Sequence, residues 1–483
     1  MVVLKVFFEG RRGLRQGDPL SPLLFVLCME VLTRLLKQMK QVPQFSHHPK
    51  CVKLELSHLI FADDLLVFVR GDYPSVLAVK HCLDTFSSSS GLTPNPSKTN
   101  IYFAGVRGTV KHSILQATGY VEGKFPFRYL VTPLHSSRLT KDLFQPLMAK
   151  IRSKLGYWAS LHLTYAGKVH LINSAIFGLE SFWCACLLLP KGVISEIEKI
   201  VRQFLWGSDG KRRLVFFSWS KVCRSRMQGG FDIREVLGWN KTLLLKIFWS
   251  YNHSCTSIRS NGPGSTSSSV HPVLSIRDEF ISKVGSETEA KRLFQAWAAK
   301  GKLPLQDVYS IFHGTHHDLR WMAPIMDGIV LPKHAFVATL AAQNALATVD
   351  NVCKRGVLIV NRCVLCLQDA ETCAHLFFGC PYSKNLMQQV LIWQGTTRQV
   401  LSLKHELYKL ALSRNRSWRS KLARCSFLFV IYFLWQERNL RVFDGVRRDV
   451  SVLLKQIKYV VCVRMYAWSN GIYNSQMLQL LLG

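Results

Sequence analysis

Two groups of residues in this sequence are spaced for chemistry. The first is Asp63-Asp64, adjacent carboxylates inside His58-Leu-Ile-Phe-Ala-Asp-Asp-Leu-Leu-Val-Phe-Val69. Apolar and β-branched residues on both sides predict strand, tight turn, strand, with the acids at the tip. Two negative charges held side by side between core strands repel each other and lose solvation. A divalent cation relieves that cost, and hard oxygen ligands of this kind suit Mg²⁺. The same residues also fit a solvated hairpin tip, where Asp is a common turn residue. The second group is Cys363-Val-Leu-Cys366 followed by His375 and Cys380, a C-x₂-C-x₈-H-x₄-C pattern. Two tight ligand pairs across a short connection suit tetrahedral Zn²⁺ in an intracellular protein. Four protein ligands leave no open position, so such a site is structural or presents a nucleic-acid-binding surface. A chance spread of buried cysteines is the alternative, and Cys373 is an extra of that kind.

The elements that must position these groups are legible in outline. Gly10-Arg-Arg-Gly-Leu-Arg-Gln-Gly-Asp-Pro-Leu-Ser-Pro22 is a loop with three glycines and two prolines. Gly13 and Gly17 permit positive φ and close backbone approach, and the arginines supply phosphate contacts. Ser21-Pro22 reads as an N-cap with Pro at the first helical position. The helix then carries an apolar stripe through Leu23, Leu24, Leu27, Val31, Leu32, Leu35 and Leu36. Further on, Phe144, Leu147, Met148, Ile151, Leu155 and Trp158 mark one amphipathic helix. Val193, Ile194, Ile197, Ile200, Val201, Phe204 and Leu205 mark another, with Lys191, Lys199 and Arg202 off the apolar face. Ser254 to Ser269 is rich in Ser, Gly and Thr and reads as a linker. His313, His316 and His317 cluster without Cys partners at ligand spacing, so no metal is expected there. Near the end, basic residues including Arg419, Lys421 and Arg424 precede the aromatic run Phe427 to Trp435, which is expected to be core.

Arg12-Gly-Leu-Arg-Gln-Gly-Asp-Pro-Leu-Ser-Pro22 followed by Phe61-Ala-Asp-Asp64 resembles the reverse transcriptase of plant non-LTR (LINE-type) retrotransposons, palm motifs B and C in order. Gly91-Leu-Thr-Pro-Asn-Pro-Ser-Lys-Thr99 resembles motif D, and Phe127-Arg-Tyr-Leu-Val-Thr-Pro-Leu134 resembles motif E, the primer grip. Leu161 to Trp206, the Gly229-Gly-Phe-Asp-Ile-Arg234 stretch and Arg438-Asn-Leu-Arg-Val-Phe443 are similar to segments that follow the palm in these elements. Pro332 to Pro381 resembles their zinc-binding region. The resemblance implies that Asp63 bridges two Mg²⁺ ions, with Asp64 a supporting carboxylate. It implies that Arg15, Gln16 and Gly17 lie against the template and nascent base pair. Lys98 stands near the leaving pyrophosphate as charge partner or general acid, or is a solvated loop lysine. Cys363, Cys366, His375 and Cys380 are the implied zinc ligands.

Two-metal phosphoryl transfer needs a further carboxylate on the strand beside the acid hairpin. In this family it belongs to motif A, several tens of residues before the arginine-glycine loop. Only eleven residues precede Arg12 here, and their one acid is Glu9. The expected fold is therefore α+β: a partial palm without fingers or motif A strand, then a helical thumb-like region and a small zinc-binding module. The expected boundaries are 1–135 for the palm, 136–245 for the thumb-like or connection region, and 246–330 for a variable linker region. Residues 331–395 form the zinc-binding domain and 396–483 a basic helical C-terminal region. The expected function is a truncated, inactive RNA-directed DNA polymerase. The alternative is a non-enzymatic remnant binding nucleic acid through basic helices and the zinc module.

Composition bounds these readings. Lys plus Arg number 62 against 30 Asp plus Glu, a formal net charge of +32. Such an excess leaves basic surface for polyanions, which the resemblance implies are RNA and DNA as a template-primer duplex. No uninterrupted apolar run reaches the roughly 18 to 20 residues of a spanning helix, so no membrane partner is expected. The start lacks a secretory cleavage pattern, and the fourteen cysteines are read as reduced thiols in the nucleus or cytoplasm. Oligomeric state is not fixed by the sequence.

Overall fold

A computed structural model describes residues 17–52, 55–130, 132–134, 140–161, 163–207, 217–254, 271–314, 316–356, 360–413 and 417–469. Among these the chain is mostly helical, and its six short strands form three separate two-stranded sheets. The α+β expectation thus holds only for the first of two compact units, Met1–Arg138 and Leu139–Gly483.

The first unit opens with α1 (Ser21–Gln38), followed by the hairpin β1 (His58–Phe61) and β2 (Asp64–Val67). Next come α2 (Tyr73–Ser90), β3 (Asn100–Ile101), α3 (Gly108–Thr118) and β4 (Val121–Glu122). A second hairpin, β5 (Phe127–Tyr129) and β6 (Thr132–Leu134), closes the unit, while β3 and β4 pair in parallel. Asp72 caps α2 by accepting from the Ser75 amide at 2.9 Å, and Gly91, at φ 76°, ends it in the left-handed region. A small core gathers Leu32, Leu36 and Met39 against Val79, Leu83 and Phe86. Two expectations fail in α1. Ser21 lies inside the helix; the turn before it is made by Asp18, whose carboxylate accepts from the Leu20 amide at 2.8 Å. The long apolar stripe is only half used: Leu32 and Leu36 are buried, whereas Leu23, Leu27 and Val31 are 64%, 64% and 50% exposed. The reason is that α2 and the acid hairpin cover only the C-terminal half of the helix.

The second unit begins with α4 (Gln145–Ala159) and α5 (Tyr165–Leu171), which Thr164 caps through the Gly167 amide. A π-helical turn, Ile172–Ile176, joins α5 to α6 (Phe177–Cys186), and α7 (Lys191–Trp206) and the short α8 (Trp219–Val222) follow. The stripes read from sequence on α4 and α7 both face the core. Beyond them lie α9 (Val236–Ser254), α10 (His271–Val284), α11 (Glu287–Ala299) and α12 (Leu305–His313). The stretch expected to be a linker region is therefore helical in its described part. Phe280, Trp297, Val308 and Phe312 pack there with Leu244 and Leu245 in a second core. The Ser/Gly-rich residues 255–270 lie outside the described residues. The chain continues through α13 (Pro332–Ala342), α14 (Val349–Cys353), α15 (Pro381–Trp393) and α16 (Leu403–Leu412). It ends in the hairpin of α17 (Trp418–Phe443) and α18 (Val450–Trp468). The aromatic run of α17 is buried, Phe427, Leu428, Phe429, Val430 and Ile431 being at most 1% exposed. One continuous core connects Phe144 to Met465, so the helical, metal-type and C-terminal segments fold around shared apolar contacts.

The helical rod Tyr165–Cys186 reaches the length and apolar character of a membrane span, 22 residues, which counting uninterrupted apolar residues did not reveal. Its Val169, Ile172, Ile176, Phe177 and Trp183 are buried in the core. Glu180 on the same rod is also buried, and neither carboxylate oxygen has a hydrogen-bond partner. Burial, reinforced by the nearby Glu198, pushes its carboxyl up to about 8. A group whose folded pKa is raised stabilises fully below its unfolded pKa, and that contribution is lost as pH rises through the folded value. Glu180→Gln is therefore expected to match the wild type in urea unfolding near pH 4.5 and to become progressively more stable than it up to pH 8. Equal stability across that range would show that Glu180 stays ionised in the fold.

Candidate functional site

The acid pair sits where strand propensity predicts. In the β1–β2 hairpin Phe61 pairs with Asp64 and His58 with Val67, leaving Ala62 and Asp63 as the turn. Ala62 adopts φ 50°, the left-handed conformation that so tight a reversal imposes. Asp63 and Asp64 are both exposed, and no described cationic side chain forms an ion pair with either. Ile60, Leu65 and Val67 anchor the hairpin on the first unit's core. Among the described residues no third strand extends this sheet. Gly17 has φ 91° with open space where a side chain would stand, so its backbone conformation rather than crowding calls for glycine. Arg15 and Gln16 lie outside the described residues. Lys98 is exposed in the turn after α2, where its amide donates to the Asn95 carbonyl at 3.1 Å, and no hydrogen bond links it to the acids.

The cysteine–histidine group is brought together. The candidate ligand atoms of Cys363, Cys366, His375 and Cys380 all lie within 4.8 Å of one another. Tetrahedral zinc with bonds of about 2.3 Å to sulfur spaces its thiolates by roughly 3.8 Å, so these residues fit the ion. Backbone geometry builds the cage. The Leu367 amide donates to the Cys363 carbonyl at 2.8 Å, and Leu367 takes φ 59° to close the turn between the first two cysteines. After His375 the chain makes a π-type turn with Phe378 at φ 78°, and the Cys380 amide donates back to the His375 carbonyl at 2.6 Å. Cys380 then stands at the N-terminus of α15. A hydrogen bond from Cys363 holds the Cys380 thiol below its ordinary range against the effect of burial, and the Ser383 and Tyr382 amides assist. The same bond and burial push Cys363 up.

His375 presents Nε2 to Cys366 Sγ at 3.3 Å, while Asp369 Oδ2 lies 3.6 Å from Nδ1. A carboxylate on that side selects the tautomer whose Nε2 is free to ligate. The sequence spacing did not single out Asp369; an acid between two ligand pairs is the one signal that marked it. Cys373 is held apart, buried beside Thr348, and burial pushes its thiol up to about 11. The histidine cluster has another use, since His313 Nδ1 lies 3.2 Å from the Glu235 carboxylate.

Residues 5–154 match the family of reverse transcriptases (RNA-dependent DNA polymerases). Residues 304–386 match the zinc-binding region found in reverse transcriptases, which contains all four ligand candidates. The chain thus carries one stretch similar to reverse transcriptases and another similar to their zinc-binding region. It is 30% identical over 207 residues to a retrovirus-related Pol polyprotein from the type-1 retrotransposable element R2 of Popillia japonica, covering 40% of this chain and 32% of that protein. It is 28% identical over 118 residues to a putative ribonuclease H protein of Arabidopsis thaliana, covering 24% of this chain and 19% of the relative. An uncharacterized mitochondrial protein of the same plant is 44% identical over 59 residues, covering 11% of this chain and 44% of the relative. The chain therefore spans less than half the length of each of these relatives.

The geometry of the cysteine–histidine group sets a direct test. The purified chain is expected to hold one zinc per molecule by atomic emission, and chelation is expected to lower its melting temperature. Cys380→Ser should lose the metal and Cys373→Ser retain it. Equal zinc content in the two variants would mean that the metal sits elsewhere.

Proposed function

We propose that the first unit is the catalytic-pair portion of a plant LINE-type RNA-directed DNA polymerase, a partial palm that needs further protein around it to work. The supporting observation is the exposed Asp63-Asp64 tip within the stretch matched by the reverse transcriptase family. In this reading Asp63 and Asp64 hold Mg²⁺, which polarises the incoming triphosphate and lowers the pKa of the primer hydroxyl when bound. Arg15, Gln16 and Gly17 face template and primer, and Lys98 approaches the pyrophosphate. The uncovered apolar half of α1 and the two-stranded acid sheet are the surfaces on which the rest of the palm packs. The five-part division at 135, 245, 330 and 395 belongs to the same reading. Residues 136–245 act as a thumb and the zinc-binding domain presents nucleic acid to it.

In the same reading the chain is catalytically silent when assayed alone: among the described residues no third strand pairs with the acid hairpin to complete a two-metal cage. A second reading is favoured by the net charge of +32: the chain binds RNA or DNA without copying it. Placement in the nucleus or cytoplasm follows from either reading. One pair of assays separates them. Primer extension on an RNA template with Mg²⁺ or Mn²⁺ is expected to stay at the level of Asp63→Ala. Extension above that control would overturn catalytic silence. Binding to the same template-primer is expected to weaken steeply with salt and to survive in Asp63→Ala/Asp64→Ala. Loss of binding in that variant would overturn the non-catalytic reading.

A further inference from the structure

The region matched as zinc-binding ends at residue 386, yet the side chains that grip the ligand loops come from α17, more than fifty residues later. Arg441 is the centre of this grip. Its Nη1 donates to the carbonyl oxygens of Val364 and Leu365, at 3.3 and 3.1 Å, the two residues between Cys363 and Cys366. Its guanidinium also lies 4.6 Å from the centroid of the Tyr382 ring, two residues after Cys380. One side chain therefore touches both halves of the ligand set, the knuckle by hydrogen bonds and the α15 start by stacking.

Arg441 is itself fixed. Glu437, with no exposed surface, accepts from Arg441 Nε at 2.7 Å. It also accepts from the Arg448 amide and Nε, at 2.9 and 2.7 Å. Arg441 Nη2 and the Tyr382 hydroxyl both donate to the Arg448 carbonyl, at 3.2 and 2.9 Å. The guanidinium plane is thus held from three directions, which leaves it pre-organised rather than searching. Carbonyls that accept such bonds turn their peptides, and the peptides carry the sulfur-bearing residues.

We propose that Arg441, oriented by Glu437, is a positioning residue for the metal site, and that the metal-binding unit extends through α17 to Arg448. The inference rests on the reading of Cys363, Cys366, His375 and Cys380 as zinc ligands. Arg441 touches no metal; it sets the conformation of the knuckle and its separation from α15. Lysine at this position carries the charge but offers no planar fork to bridge two carbonyls and a carboxylate. Outer-shell partners of metal ligands typically contribute ten- to a hundredfold in affinity.

The experiment uses the full chain, wild type and Arg441→Lys, loaded with zinc and challenged with the chelating dye 4-(2-pyridylazo)resorcinol. Zinc affinity is expected to fall by about ten- to a hundredfold in the variant. The rise in melting temperature on adding zinc to the metal-free protein should shrink in parallel. Phe280→Leu, in the second core, serves as the control for plain destabilisation. It should lower the melting temperature with and without zinc alike and leave zinc affinity unchanged. Where Arg441→Lys yields no folded protein, Glu437→Gln carries the same expectation. A wild type that binds no zinc overturns the ligand assignment itself. A wild type that binds one zinc, with Arg441→Lys or Glu437→Gln indistinguishable from it, overturns the Arg441 inference alone.

Discussion

Burying a carboxylate is costly unless it is paired with a cation and hydrogen-bonded, and the second unit is arranged around several that are. Glu437 and Glu371 have no exposed surface and Glu406 is 1% exposed. Burial works against ionisation of Glu437, but the Arg448 amide and the guanidiniums of Arg441 and Arg448 hold it below the ordinary carboxylate range. Glu371 accepts from Arg438 Nε at 3.0 Å and from the Val349 amide at 3.0 Å. Arg398 grips Glu406 with both terminal nitrogens, at 2.5 and 2.6 Å. Asp327 takes Lys421 and Arg424 together, at 2.6 and 2.8 Å. Two of these four acids, Glu371 and Asp327, lie outside α17 and are paired with its side chains. Sliding that helix by one turn leaves charges unpaired in the interior, a penalty of several kcal/mol for each. Apolar packing tolerates small shifts; these pairs do not. They fix the register of α17 against the loops that carry the cysteines.

Sequence reading succeeded where information is local and failed where it is not. The stripes of α4 and α7 repeat within one helix, and burial of Ile151 and Ile197 follows from that period alone. The acid hairpin is equally local, since alternating strand formers and a two-residue turn define it. Spacing also marked the four cysteine–histidine positions, because their ligand pairs are close in sequence. The network behind them was invisible. Arg441 lies 77 residues from Val364, and Arg438 lies 67 from Glu371. The helical stretch α10–α12 was missed although Ala290, Leu293, Phe294 and Trp297 recur at helical spacing; what that period does not show is that they pack on Leu244 and Leu245 of α9. In α1 the period was right but the inference from it was not. An amphipathic stripe states which side is apolar, and neighbours decide how much of it is covered.

The two units differ in how completely they cover their apolar surface. The second builds a core from Phe144 to Met465 with aromatic rings in contact, such as Phe231 stacked on Phe336 at 4.6 Å between centroids. Among the described residues the first has a core cluster of eight buried residues and strands of two to four residues. Hairpins that short are marginal alone and depend on what packs on their faces. The acids at the tip of the first hairpin are therefore held by a scaffold with little reserve, whereas the cysteine–histidine cage is braced by long helices.

The leucine face of α1 has a consequence for the behaviour of the molecule in solution. Leu23, Leu27 and Val31, with Leu20 and Val26 at 60% and 64% exposure, present apolar side chains to water around the exposed Glu30–Arg34 pair. Exposed apolar groups of this kind drive self-association that rises with protein concentration. The same face is the first place a crowded solution of this chain will stick to itself, and mild detergent or a charged substitution at Leu27 is the means to keep it dispersed.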